Sequence, residues 1–363
     1  MIFGNIFNKK KILITGHTGF KGSWLALWLR ELGAEICGYS LNKLPPPSHF
    51  RLLGLDEKLR NEVGDICDYK KVSDLIADFK PDVIFHLAAQ ALVRESLENP
   101  LSTIQTNAVG SATILDAVRK QPNIQAVIMV TSDKVYENHE WDWGYRETDQ
   151  LGGKDPYSAS KASAELIINS FVRCYFANSD TIVAVGRAGN VIGGGDWALD
   201  RIVPDCIRAW TNNQPVLIRN PASTRPWQHV LEPLSGYLRL AEMGLKGQRI
   251  IDRQAYNFGP NTEVNQTVSK LIEAMSARWP NSSWAEDTKV NASMSTEAKL
   301  LTLSCEKARN ELNWRPVWGF EKTLTKTIDW YHEQAKCSNF DAYAKGVEQI
   351  RQYCIEKTQI AQG

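Results

Sequence analysis

Through the first half of the chain, short and almost wholly apolar runs alternate with stretches in which apolar residues recur every three or four positions. Residues 10–15 form the first run and end in a glycine-rich turn. Trp24, Leu25, Trp28, Leu29 and Leu32 follow at helical spacing, and Gly33 supplies a C-terminal stop. Residues 36–41, 61–64, 83–89, 126–131 and 181–185 read as further strands, with helices over 69–79 and 159–176. Strands that are apolar on both faces and separated by helices predict an α/β fold, a doubly wound parallel sheet covered on both sides. Beyond about residue 187 the pattern loosens into Gly193-Gly194-Gly195, several tryptophans, and two late helices near 304–312 and 322–334. A smaller C-terminal substrate-binding domain is expected there. The expected division is 1–188, with return segments near 229–259, for the sheet domain and the remaining parts of 189–363 for the second.

Composition narrows the partners. Of 363 residues 43% are hydrophobic and 23% charged, the mixture of a globular protein with a sizeable core. Forty-two basic against 41 acidic side chains leave a net charge of +1, which argues against a general nucleic-acid or membrane-surface binder. No apolar run approaches the roughly 18 residues of a membrane span. Residues 1–8 are too short for a secretory signal, with Lys9, Lys10 and Lys11 on its wrong side, so a cytoplasmic location is expected. Seven scattered cysteines without a Cys-x-x-Cys pair read as reduced thiols, with no zinc or other metal site and no disulfide framework.

The first candidate chemistry is the loop Thr15 to Gly22, with glycines at 16, 19 and 22 between a strand and a helix. Glycine permits a tight turn and close backbone approach, and a helix N-terminus offers free N–H groups to a pyrophosphate, so the loop predicts a dinucleotide site. Lys21 opposes the helix dipole unless a phosphate binds there. The second strand lacks the acid that would hold an adenosine ribose; Ser40 is the nearest polar replacement, and Asp65 could reach the adenine. NAD and NADP both remain open on these residues.

A second constellation is Tyr157 and Lys161, four apart on one helix face. A tyrosine works as a base near neutral pH only if a neighbouring cation lowers its pKa, which is the role expected of Lys161 together with a nicotinamide ring. Ser132, at a strand end, could complete the set as hydroxyl donor.

With these motifs, the chain resembles the extended short-chain dehydrogenase/reductases that act on nucleotide sugars. The resemblance runs over Thr15–Gly22, His86 to Gln90, the Asn107 helix, Thr131 to Lys134, Tyr157 to Lys161, Arg187-Ala188-Gly189-Asn190 and Leu312 to Pro316. Within that family it is similar to the nucleotide-sugar 4,6-dehydratases, through Gly16 to Trp24, Ser132-Asp133-Lys134, Gly153 to Tyr157, Gly194 to Trp197 and Arg225 to Val230. The resemblance implies a Rossmann-like domain and cofactor contacts from Gly16, His17, Thr18, Gly19, Phe20, Lys21, Gly22, Ile66, Leu87, Ala88, Ala89, Gln90, Asn107 and Thr131, beside Ser40, Asp65, Tyr157 and Lys161. It also implies a homodimer or tetramer, and a place in making the deoxysugars of bacterial surface polysaccharide such as lipopolysaccharide O-antigen.

In related dehydratases the strand-end motif is usually Thr-Asp-Glu, with the aspartate as acid for water loss at C6 and the glutamate as base at C5. Here Asp133 is kept and Lys134 stands in the glutamate position. Lys134 as base, Lys134 as an electrostatic clamp on the enolate, and Glu137 as base all remain open. For the substrate, the resemblance assigns the pyrophosphate to Asn190 and Arg225, with Arg201, Arg219 and His229 nearby; Ser96 could reach sugar hydroxyls or cap a helix, and Arg208 is expected to be solvated. A 4-epimerase, or a cofactor-binding scaffold without turnover, are the alternative readings.

Overall fold

The computed structural model describes residues 2–41, 44–261, 265–287, 300–337 and 339–362. Seven parallel strands form the central sheet: β1 (Lys11–Thr15), β2 (Glu35–Ser40), β3 (Arg60–Val63), β4 (Val83–His86), β5 (Ala126–Val130), β6 (Ile182–Ala188) and β7 (Gln254–Phe258), in the spatial order β7-β6-β5-β4-β1-β2-β3. β1 is an inner strand of this order, with Thr15 beside Tyr39 on one side and His86 on the other. The strand order reverses direction at β1, so a crevice opens at its carboxyl end, where ligands bind in such sheets.

Successive side chains of a strand point to opposite faces. Ile12, Ile14, Phe85 and Ile128 enter one apolar cluster, while Leu13, Ile84 and Val127 enter the other. The second face is covered by α2 (Tyr69–Phe79), α3 (Gly110–Val118) and α4 (Pro156–Tyr175), through residues such as Leu75, Ile114 and Ile168. The first face is covered by α1 (Phe20–Glu31) and α5 (Leu231–Leu245), through Trp24, Trp28, Leu234 and Tyr237. Near the chain's end come α6 (Phe320–Lys336) and α7 (Ala342–Gln362). α7 folds back onto α1: the Trp28 and Tyr353 rings meet edge-on at 5.6 Å, and a Cβ at Gly346 would stand 2.5 Å from Leu27.

Two helices are not visible in the periodicity. α5 carries polar residues at Glu232, Ser235, Arg239 and Glu242, but it is buried at almost every position from Leu231 to Gly244, so its polar face does not mark a solvent side. α7 is rich in charged and amide side chains and carries no strong apolar stripe. β4 ends at His86 and not at residue 89, because the chain turns there to support the glycine loop: Leu87 N–H donates to the Thr15 carbonyl at 3.0 Å. Buried Glu232 ties α5 to the chain before α6 and to α7, accepting from Trp318 N–H (2.7 Å), Val317 N–H (3.0 Å) and Tyr353 O–H (2.7 Å).

Four histidines lie in this core: His17, His49, His86 and His229 are none more than 3% exposed. Burial keeps the rings neutral, lowering His17 to about 4 and the other three to about 3. Below about pH 6.5 the unfolded chain binds a proton at each while the folded chain does not. Stability therefore falls with pH, by roughly 1.4 kcal/mol per pH unit for each histidine. Glu232, raised by burial from 4.5 to about 7, acts in the opposite sense and offsets roughly one of them. The melting temperature is predicted to drop steeply between pH 6.5 and 4.5 in circular-dichroism melts; a flat profile across that window would show that these rings accept protons in place.

Candidate active site

The glycine loop folds tightly on itself and on the exit of β4. Gly16 has φ +75°, and a Cβ there would stand 2.7 Å from Ala88 N; one at Gly22 would stand 2.2 Å from Gly16 O. Gly19 is the least crowded of the three, with Gly16 O at 3.3 Å, and it precedes α1 in extended backbone. Bare backbone thus meets a helix N-terminus, a cradle that fits a dinucleotide pyrophosphate. Thr15 braces it, accepting from Ala88 N–H at 3.2 Å and bonding His86 Nδ1 at 2.8 Å.

Thr18 and Ser40 share a hydrogen bond of 2.9 Å at the end of β2, and Asp65 is exposed beyond β3, accepting from Cys67 N–H at 2.9 Å. Ile66 is buried against Gly110. Phe20 packs beside His49 and Gly193. His17 contributes backbone only: its ring points inward, bonded to Asn61 at 2.8 Å and edge-on to Phe50. Past Leu87, Ala88 and Ala89, Gln90 is clamped by Asn107, which accepts from Gln90 N–H (2.9 Å) and donates to Gln90 O (3.0 Å) and Ser160 Oγ (2.8 Å). Asn107 lies in a widened helical turn, Gln105–Val109, a distortion common at functional sites.

The carboxyl end of β5 and the first turn of α4 bring Ser132, Asp133, Tyr157 and Lys161 together. Asp155 caps α4, accepting from Ser158 N–H, and so fixes where Tyr157 starts. Ser132 donates to Asp133 at 2.9 Å and stands beside the Tyr157 phenol, whose charged form it favours. Burial pushes the phenol up to about 12, against the pull of Ser132 and of Arg201. The expectation of a lowered tyrosine pKa is therefore not met by the side chains alone, since desolvation outweighs them. Burial also lowers Lys161, to about 8, with Glu165 opposing the shift. Asp133 is raised, by burial first, against the fields of Lys134, Lys21 and Arg225. Lys21 is itself pushed down to about 8 by burial and by Arg201 and Lys161, so it faces this cluster. Lys134 is half-buried beside Asp133, and Glu137 lies against Gly152.

Behind the cluster is a buried polar network. Arg187 on β6 donates through Nε to both oxygens of Glu165 on α4 (2.8 and 3.0 Å) and through Nη2 to Oε2. Its Nη1 donates to Tyr136 Oη (2.7 Å) and the Glu147 carbonyl (3.1 Å). Thr131 donates to Glu165 at 2.6 Å, so its side chain faces this network. Glu165 is absent from the sequence reading; its one signal is an acid four residues after Lys161 on a face of small and apolar residues.

Of the substrate candidates, Arg225 is partly buried on the strand Thr224–Pro226 and its field reaches Asp133. Arg201 is held by Asp196 at 2.9 Å and its field reaches Tyr157. Asn190 is half-buried just past β6. Arg219 is exposed, 3.4 Å from Asp200. Ser96 and His229 are both fully buried: Ser96 donates to the Val93 carbonyl at 2.6 Å, and His229 is wedged between Trp24 and Trp318. Arg208 is not solvated as expected, because it grips the carbonyls of Trp197 (3.0 Å) and Ala198 (3.2 Å).

A family model described as GDP-mannose 4,6 dehydratase matches residues 13–327. The chain is similar to the CDP-glucose 4,6-dehydratase of Salmonella typhimurium, 46% identical over 338 residues that cover 91% of this chain and 93% of that protein. In fold it is similar to UDP-glucose 4-epimerase from Thermotoga maritima, solved with UDP-glucose (TM-score 0.76, 22% identity, 90% of this chain and 100% of that one). It is also similar to dTDP-glucose 4,6-dehydratase from Bacillus anthracis, solved in complex with NAD (TM-score 0.72, 22% identity, 89% and 96%).

The Arg187–Glu165 pair gives a stability prediction. Arg187→Met leaves a buried carboxylate without its cation and should cost roughly 3–5 kcal/mol in urea unfolding, with Arg187→Met/Glu165→Leu recovering much of the loss. A single variant as stable as the parent would show that water reaches Glu165.

Proposed function

The chain belongs to the GDP-mannose 4,6 dehydratase family, and from that premise we propose that it is a CDP-glucose 4,6-dehydratase, converting CDP-D-glucose into CDP-4-keto-6-deoxy-D-glucose and water. The observation that carries this reading is the 46% identity, over 91% of the chain, to the Salmonella typhimurium enzyme of that name. Asp133 supports it chemically, since a 4-epimerase needs no acid at C6.

The cofactor is NAD, held at the cradle of Gly16, Gly19 and Gly22, with Thr18, Ser40 and Asp65 toward its adenosine end. Bound there, it would supply reversible hydride chemistry for the oxidation at C4 and the reduction at C6. Tyr157 takes the C4 hydroxyl proton, with Ser132 beside it, and the positive charge of Arg201 stabilises the phenolate that burial disfavours. Lys161 stands one helical turn away on the same face. The resulting ketone acidifies the C5 hydrogen. Asp133, whose raised pKa lets it carry a proton, gives it to the departing C6 hydroxyl. Lys134 is placed as the C5 base or as a clamp on the enolate. Arg225 and Asn190 take the pyrophosphate, with Arg201 and Arg219 around it.

We propose further that the protein works in the cytoplasm as a homodimer or tetramer. All seven cysteines are free, which suits a reducing compartment. Leu97, Leu101, Ile104, Val109 and Leu166 expose apolar side chains along the helices leading to and including α4, and Leu101 is 75% exposed. No described helix is long and apolar enough to cross a membrane.

A panel of nucleotide glucoses, assayed for 4-keto-6-deoxy product, tests the substrate; preference for a base other than cytosine overturns it. Tyr157→Phe is predicted to keep the fold and cofactor affinity while losing roughly 10²–10⁴-fold in turnover; near-normal turnover would remove Tyr157 from the proton transfer. Lys134→Ala is predicted to stall after C4 oxidation, so that mass spectrometry of quenched mixtures finds a 4-keto hexose still carrying its C6 hydroxyl. Normal product would pass the C5 role to Glu137 or solvent.

A further inference from the structure

Tyr157, Lys161 and Glu165 stand at successive fourth positions of α4 and so share one face. Tyr157 and Lys161 have roles in the reaction proposed above, and Glu165 has none. Glu165 is 1% exposed, and its carboxylate is fixed from two sides. Arg187, itself tied to Tyr136 and the Glu147 carbonyl, grips both oxygens, and Thr131 donates to Oε1 at 2.6 Å. Thr131 directly precedes Ser132, and its own N–H is anchored on the Gly186 carbonyl at 3.0 Å. One carboxylate therefore joins the helix carrying Tyr157 and Lys161 to the turn carrying Ser132 and Asp133.

We propose that Glu165 is a positioning residue for the C4 oxidation: through Thr131 it sets Ser132 against Tyr157, and through its charge it keeps the Lys161 ammonium in place beside the phenol. The proposal rests on the reaction assigned above. The charged and titratable groups that face Lys161 are Lys21 from α1, His86 from β4, and, on α4 itself, the Tyr157 phenol, kept neutral by burial, and Glu165. Lys21 is a like charge and His86 is held neutral by burial, so Glu165 supplies the opposing charge in this set. A buried ammonium without it would release its proton at lower pH.

The test uses Thr131→Val, Thr131→Ser and Glu165→Gln in the full-length enzyme. Thr131→Val replaces the hydroxyl with a methyl group and is expected to lower kcat at least tenfold, with KM for the sugar nucleotide within twofold, while the lost donor to a buried carboxylate lowers the unfolding midpoint only modestly. Thr131→Ser should restore kcat to within threefold. Glu165→Gln should move the alkaline limb of the kcat–pH profile down by at least half a pH unit, and the ¹³Cε resonance of Lys161 should titrate lower by the same amount; a scaffolding role alone would move neither. The resonance is read without turnover, so a wild-type protein inactive on every nucleotide glucose overturns the reaction and leaves the Glu165 test intact. Wild-type kcat in Thr131→Val, or an unmoved Lys161 titration in Glu165→Gln, overturns the proposal. Should Glu165→Gln fail to fold, the Thr131 pair decides it.

Discussion

A single buried ion pair holds the working parts of this enzyme in register. The guanidinium of Arg187 and the carboxylate of Glu165 meet where β6, the end of β5 and α4 converge, and both are almost fully withdrawn from water. Burying two charges is costly unless every lone pair and proton finds a partner. Here the remaining valences are taken by Thr131, Tyr136 and the Glu147 carbonyl, and Tyr136 passes the chain of bonds to Asn257 on β7 at 2.8 Å. Three strands and a helix are thereby referred to one point, a few residues from Ser132, Asp133 and Tyr157.

The electrostatics of the reacting groups follow from their depth. Burial raises both Asp133 and Tyr157 and lowers both Lys21 and Lys161, so each group is biased toward its neutral form. For Asp133 that bias suits an acid. For Tyr157 it opposes the role of base, and the phenolate depends on positive charge gathered around it. The tyrosine–lysine motif supplies the right groups, and it works because of the charges and closed surroundings the rest of the fold adds.

The sheet and the phosphate loop were legible in the sequence because their causes are local. β1, α2 and the glycines at 16, 19 and 22 are set by apolar runs, helical spacing and turn stereochemistry within a few residues. What escaped was set by distance. α5 is buried on nearly every side, and its Glu232 finds its partners only in Val317, Trp318 and Tyr353, 85 to 121 positions away. His229 stands near Arg225 in sequence, and only the fold shows its ring packed between Trp24 and Trp318. Glu165 had no visible partner until Arg187 and Thr131 were brought to it, and Arg208 gained its carbonyl partners only through the turn at Trp197 and Ala198.

The return of α7 onto α1 also bears on how the chain is made. Tyr343 hydrogen-bonds Glu31 at 2.8 Å across 312 positions of sequence, and the face of α1 that bears Leu27 and Trp28 is covered by α7. At roughly 5–20 residues per second, that cover leaves the ribosome tens of seconds after α1 does. Throughout that interval the tryptophan-bearing face is uncovered, whereas nonspecific collapse takes less than a millisecond. α1 is thus adhesive from its own emergence until α7 has been translated, and a helix made about 300 residues later closes it.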